Sequence, residues 1–198
     1  NSSISQLAEM VETRSNVSEN LIELTHLTDT SNLPLTNNQK RLWLITQMQP
    51  SEPSYIIPNT HKLIGSLNPE IFLKSLEKLF ERHFVIFSKI KNNDGEPYIE
   101  IIPGKVELPY FDLRNLTETE KSRRVEEMLV ADTKQAFDLE KGPLYRMFLV
   151  QTEEDVYYFH ISIHHIIFDG WSWSVFTGDL EEIYSSLLHG KEINLLPL

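Results

Sequence analysis

The chain has 198 residues, 40% of them hydrophobic and 24% charged, enough for one domain with a buried core plus appended segments. Its 29 acidic residues against 18 basic ones give a net charge of −11, which argues against nucleic acid or an anionic membrane surface as partner. There is no cysteine, so disulfides, thiolate metal sites and cysteine nucleophiles are excluded. No apolar run reaches membrane-spanning length, and the first residues lack the basic-then-apolar order of a signal peptide, so a cytoplasmic chain is expected. The start at Asn1 points to a piece excised from something longer.

Residues 3–13 carry a short amphipathic helix pattern with Ile4, Leu7, Ala8 and Val11 on one face. Such a helix is too short to stand alone and wants a partner. Residues 14–32 are polar with few apolar anchors and read as a linker. From Leu33 the signals sharpen. Thr36 caps a predicted helix running to about Gln47, and Pro50 and Pro53 then break the chain. Residues 55–64 read as extended. Asn68 followed by Pro69 opens a helix that buries Phe72, Leu76, Leu79 and Phe80.

Residues 85–90 and 98–102 read as strands joined by Asn92-Asn93-Asp94-Gly95, a hairpin signal. Thr117 and Glu120 form a capping-box pattern for a helix to about Phe137. Residues 145–150 and 156–163 are strands flanking the polar turn at 152–155. A final helix buries Phe176, Leu180, Ile183, Tyr184 and Leu187, and Gly190 stops it. Helices and strands mix without strict βαβ repetition, so the expected class is α+β, with antiparallel pairs and at least one longer crossover.

The chemistry gathers after the last strand, where His164 and His165 precede Asp169 and Gly170. An imidazole with an ordinary pKa of about 6.5 becomes a competent base near neutrality after a modest shift, and a helix N-terminus supplies donors for a developing oxyanion. Strand alternation puts His160, Ser162 and His164 on one face and Phe159, Ile161, Ile163 and His165 on the other. The two histidines then point apart, one structural and one functional, and no metal site is expected. A two-histidine, one-carboxylate iron site with Asp169 would require the strand to end early. Asp169 either caps the final helix or pairs with a cation, for which Arg146 on the neighbouring strand is the candidate. Gly170 permits close backbone approach to a ligand. There is no GxSxG elbow, so Ser172 and Ser174 read as first-turn helix residues. Trp171 and Trp173 read as core or lobe-contact residues.

The run from His164 to Gly170 resembles the HHxxxDG signature of nonribosomal peptide synthetase condensation domains. Further stretches carry the same resemblance in order: Leu35 through Trp43, Tyr55 through Pro58 followed by Leu63 through Gly65, Arg82-His83, and Gly142 through Arg146. The resemblance implies a chloramphenicol-acetyltransferase-like lobe, a mixed, largely antiparallel sheet packed with helices. It implies transfer of an acyl or peptidyl group from an upstream donor carrier thioester to the amine of an aminoacyl group on a downstream acceptor carrier. His165 carries over as the catalytic histidine, with His164, Asp169, Gly170 and Arg146 in support. No cofactor or metal is bound by the chain itself, and phosphopantetheine arms arrive on the carriers.

By the same resemblance, residues 1–13 are the last helix of an upstream carrier domain and 14–32 a linker. Residues 33–198 are then the N-terminal lobe of a condensation domain whose C-terminal lobe is absent, so the isolated lobe is expected not to turn over. Phe87 stands where the family has a second arginine, which marks a divergent subgroup. Ester-forming and epimerizing relatives share these residues, and a catalytically silent carrier-docking module is the alternative from outside enzymology. His165 and Asp169 are both present, which favours activity in the full domain.

Overall fold

A computed structural model describes residues 32–102 and 104–198. The helix expected at 3–13 and all but the last residue of the linker expected at 14–32 lie outside the described residues. The elements in chain order are β1 (Leu33–Pro34), α1 (Asn37–Met48), β2 (Ile56–Ile64), α2 (Pro69–Arg82), β3 (Ser88–Asn93), β4 (Glu96–Ile101), β5 (Tyr110–Asp112), α3 (Glu118–Thr133), β6 (Tyr145–Glu153), β7 (Val156–His164) and α4 (Gly170–Leu188). They bear out the α+β class.

A four-stranded sheet in the order β2-β7-β6-β5 is the platform of the fold. β7 pairs antiparallel with β2 and β6, whereas the short edge strand β5 runs parallel to β6. A smaller antiparallel sheet, β1-β4-β3, stands beside it. Its hairpin turns on Asp94 at φ 50° and Gly95 at φ 94°, two successive positive angles that suit a tight two-residue connection.

One face of the main sheet offers Tyr145, Met147, Leu149, Tyr157, Phe159, Ile161 and Ile163 to the buried side chains of α2 and α4, which makes the principal core. Asn68 accepts from the N–H groups of Glu70 and Ile71 and starts α2. At the other end of α2, Asp179 of α4 takes Arg82 Nε at 2.9 Å and His83 Nε2 at 2.7 Å, so one carboxylate clamps the two helices together. A second cluster joins Leu35, Ile90, Phe137, Leu139, Leu144 and Ile166.

Several expected boundaries move: β6 runs on to Glu153, into the turn expected at 152–155, and β4 begins at Glu96 and not Tyr98. The strand expected over 85–90 begins only at Ser88, because residues Phe84–Phe87 wind into a 3-10 turn that buries Ile86 and leaves Phe84 and Val85 exposed. The helix started by Thr117 and Glu120 ends at Thr133, not near Phe137. Arg146 captures the carbonyls of Asp132 and Gln135 there, and Phe137 turns under its guanidinium.

Candidate active site

β7 is buried on both faces, and its polar side chains point away from α2 and α4. Burial obliges each of them to find a partner. His160 Nε2 meets Asp132 Oδ2 at 3.1 Å, and Nδ1 meets the Thr60 hydroxyl at 2.8 Å. A carboxylate only accepts, so Nε2 donates to Asp132. Burial alone would raise the Asp132 pKa, but hydrogen bonds from His160 and Arg146 outweigh it and hold the carboxyl at about 2. Arg146 Nε donates to Asp132 Oδ1 at 2.7 Å.

β7 ends at His164, whose side chain is 4% exposed and lies between the rings of Tyr55 and Phe137. Its Nδ1 accepts the Ile166 N–H at 3.1 Å, which places the proton on Nε2. Burial, with a smaller repulsion from His165, pushes its pKa down to about 4, so the ring is neutral at neutral pH. The chain then turns: the His165 N–H donates to the Tyr55 carbonyl at 2.8 Å and the Ile167 N–H to the His164 carbonyl at 3.1 Å. That turn throws the His165 side chain into solvent, whereas strand alternation would have set it with Phe159, Ile161 and Ile163 on the core face; β7 ends one residue too soon for that. Among the described residues no side-chain hydrogen bond engages its imidazole.

Three residues on from Ile166, Asp169 is the N-cap of α4. It accepts the Ser172 N–H at 2.9 Å, and Ser172 accepts the Asp169 backbone N–H on its hydroxyl at 3.3 Å. The Ser172 hydrogen bonds hold the Asp169 carboxyl below the usual carboxylate range. Gly170 opens the helix, and a Cβ built there meets nothing within 4 Å, so the described residues set no steric demand for glycine. Beside it an apolar crevice of about 170 Å³ is lined by Val85, Ile167, Phe168, Trp171, Val175 and Phe176. Trp171 is 80% exposed at its edge, and Trp173 packs against Phe168 and Phe176 in the core.

Four of the five expected residues, His164, His165, Asp169 and Gly170, therefore gather in one strand-to-helix turn. The fifth requires a correction. Arg146 does not pair with Asp169, which is satisfied within its own helix cap; it pairs with Asp132. Its guanidinium lies 3.9 Å over the Phe137 ring, which stands at 82° to the His164 ring with 6.1 Å between centres. Sequence reasoning missed Asp132, Phe137 and the side chain of Gln39, whose Nε2 donates to the Ile166 carbonyl at 2.9 Å. The signal for Gln39 was its place three residues after the cap Thr36. Among the described residues no three His, Asp or Glu side chains cluster as a metal site needs, and no helix is long and apolar enough to cross a membrane.

Phe87, where the resemblance leads one to expect arginine, packs edge-on to Phe80 and Tyr145 at 5.9 and 6.4 Å between ring centres. The position is absorbed into the core, so nothing charged is left unpaired by the change.

The chain has relatives among known proteins. The chain is 35% identical over 187 residues to one component of the linear gramicidin synthase of Brevibacillus parabrevis, a match covering 93% of this chain and 2% of that protein. Malpibaldin synthetase of Mortierella alpina is 35% identical over 168 residues, 84% of this chain and 3% of that protein. The chain thus spans only a small part of the length of these relatives. The starter condensation domain of the rhizomide synthetase RzmA superposes with a TM-score of 0.75 at 21% identity, over 83% of this chain and 41% of that one. The first condensation domain of the CDA synthetase gives a TM-score of 0.74 at 21% identity, over 84% and 43%. These two speak to fold, and they bear out the chloramphenicol-acetyltransferase-like lobe. Residues 30–198 match the Condensation domain family, and with that match the chain belongs to the condensation domains of nonribosomal peptide synthetases.

Proposed function

We propose that this chain supplies the histidine-bearing half of an amide-forming acyltransferase. Residues 33–198 are then an N-terminal lobe, and a second lobe completes the site. The share of each solved condensation domain that the chain covers, 41% and 43%, supports that division. So does the exposed apolar edge of Val85, Trp171 and Val175 beside the turn, a surface that a second lobe would cover.

In the reaction, the amine of an acceptor aminoacyl group attacks the carbonyl carbon of a donor thioester. A C–N bond forms, the C–S bond breaks, and the carrier thiol leaves with a proton. Both substrates come on phosphopantetheine arms of partner carrier domains, upstream for the donor and downstream for the acceptor, in a cytoplasmic synthetase. Residues 1–13 are read as the tail of the upstream carrier and 14–32 as the linker to it.

The observation that carries the reading is the contrast between the two histidines. His164 is buried, neutral and engaged with Ile166, whereas His165 is exposed on the open side of the same turn. His165 is therefore the imidazole able to take the amine proton or orient the amine. Asp169 and His164 shape the turn, and Gly170 leaves room for a substrate atom beside the start of α4.

The test uses the complete condensation domain with a loaded donor carrier and a loaded acceptor carrier. Intact-protein mass spectrometry follows movement of the acyl group in wild type and His165→Ala. Transfer that collapses in the variant supports the reading. Transfer that survives removes His165 from the chemistry, and no transfer in wild type across several substrate pairs favours a carrier-docking module.

A further inference from the structure

Gln39 has two hydrogen-bonding ends, and they serve different parts of the fold. Its Oε1 accepts the Thr36 N–H at 2.9 Å and closes the capping box of α1. Its Nε2 donates to the Ile166 carbonyl at 2.9 Å, from 127 residues away in the chain. Ile166 is 2% exposed and packs in the cluster with Leu35, Phe137 and Leu144. A carbonyl in that setting needs a protein partner, because it has little access to water.

The consequence falls on His165. Its own N–H is fixed by the Tyr55 carbonyl, and the next peptide N–H is fixed by His164 Nδ1. The peptide after that is held at both ends, its N–H by the His164 carbonyl and its C=O by Gln39. Gln39 is thus the restraint that ties the turn to α1. We propose that Gln39 is a positioning residue of the acyl-transfer site, its Nε2–H donor holding the turn that presents His165. This rests on the reading that His165 serves transfer.

The two ends of the side chain can be separated by substitution. Gln39→Glu keeps an oxygen for the Thr36 N–H, since glutamate is a natural third residue of a capping box, but removes the donor to Ile166. Thr36→Ala does the reverse: it deletes the capping hydroxyl and leaves the Gln39 donor in place. Gln39→Met, uncharged and of similar length, guards against a folding defect specific to the carboxylate.

Each variant is made in the complete condensation domain and assayed with loaded donor and acceptor carriers, alongside amide hydrogen exchange at Ile166 and Ile167. Gln39→Glu and Gln39→Met are expected to lower kcat on the order of tenfold or more, with KM for the carriers unchanged and faster exchange in the turn. Thr36→Ala is expected to lower Tm while leaving kcat and the turn's exchange at wild-type values. Wild-type kcat in both Gln39 variants, or kcat losses that track Tm alike in all three, would overturn the proposal. Failure of wild type to transfer at all counts against the acyltransferase reading instead, and unchanged exchange in the Gln39 variants still refutes the tether.

Discussion

His164 Nδ1 and the Ile166 N–H meet at 3.1 Å, and this one contact fixes both the tautomer of the first histidine and the direction taken by the second. A protonated ring could not accept that hydrogen. The buried site accordingly favours neutral His164 and holds its pKa at about 4.

Stability should therefore depend on pH in a defined window. The unfolded chain takes up a proton on this residue at about pH 6.5, the folded chain only near 4, so between them the unfolded state binds more protons. The contribution is complete above about pH 6.5 and is lost as pH falls toward 4, on the order of 3 kcal/mol at most. His61, also lowered by burial, acts with the same sign. Asp132, held at about 2 against an ordinary 3.8, adds its own loss only at more acid pH. Urea unfolding from pH 7 to 4 should show a shallower pH slope in His164→Asn than in wild type. Equal slopes would mean that another group carries the titration.

Gly170 separates steric access from folding. Its missing Cβ faces open space, and alanine is the better residue at a first helical position. Gly170→Ala should leave Tm unchanged or slightly higher, while acyl transfer by the complete domain falls by about tenfold or more. Wild-type transfer in the variant would show that nothing approaches this backbone closely.

Arg146 is expected to matter for stability out of proportion to its distance from solvent chemistry. Arg146→Ala removes the Asp132 ion pair, two carbonyl partners and the face of Phe137 together. Denaturant titration should show a loss of about 2 to 3 kcal/mol, as for other half-buried ion pairs broken from one side. Arg146→Lys should not restore it, because a single ammonium cannot reproduce the planar fork or the stack on Phe137.

Asp169 should be replaceable by asparagine and not by alanine. The cap needs a side-chain oxygen for the Ser172 N–H, which asparagine keeps. Asp169→Asn should hold Tm and transfer near wild type, and Asp169→Ala should lower both. Loss of transfer in the asparagine variant at normal Tm would point to a role for the charge itself.

Much of the frame was legible because its signals are local. Thr117 with Glu120, Asn68 with Pro69, and Asp94 with Gly95 each act within a few residues, and each marks the boundary that the structure has. The paired histidines were legible as a motif, but the exposure of His165 was not, because it comes from a turn that ends the strand alternation. What could not be read were partners chosen across the fold. Arg146 was matched to Asp169 on sequence grounds, but the helix cap had already claimed that carboxylate, and Asp132 took its place. The apolar run at 84–87 suits a strand by composition, yet the fold turns Ile86 and Phe87 inward and leaves Phe84 and Val85 exposed, so the backbone coils. β5 has three residues and a parallel neighbour, too short a segment to show a period.

Pinned by β2 on one side and β6 on the other, β7 carries His164 as its last residue, and the turn after it sends His165 into solvent. The repeated histidine is thus two different parts that happen to share a name. Inserting or deleting a single residue between 156 and 163 would turn His164 away from Tyr55 and Phe137 and undo the contact with Ile166 on which the turn depends. Tolerance along this strand should therefore be judged by parity: a changed side chain can be accommodated, an odd change in length cannot.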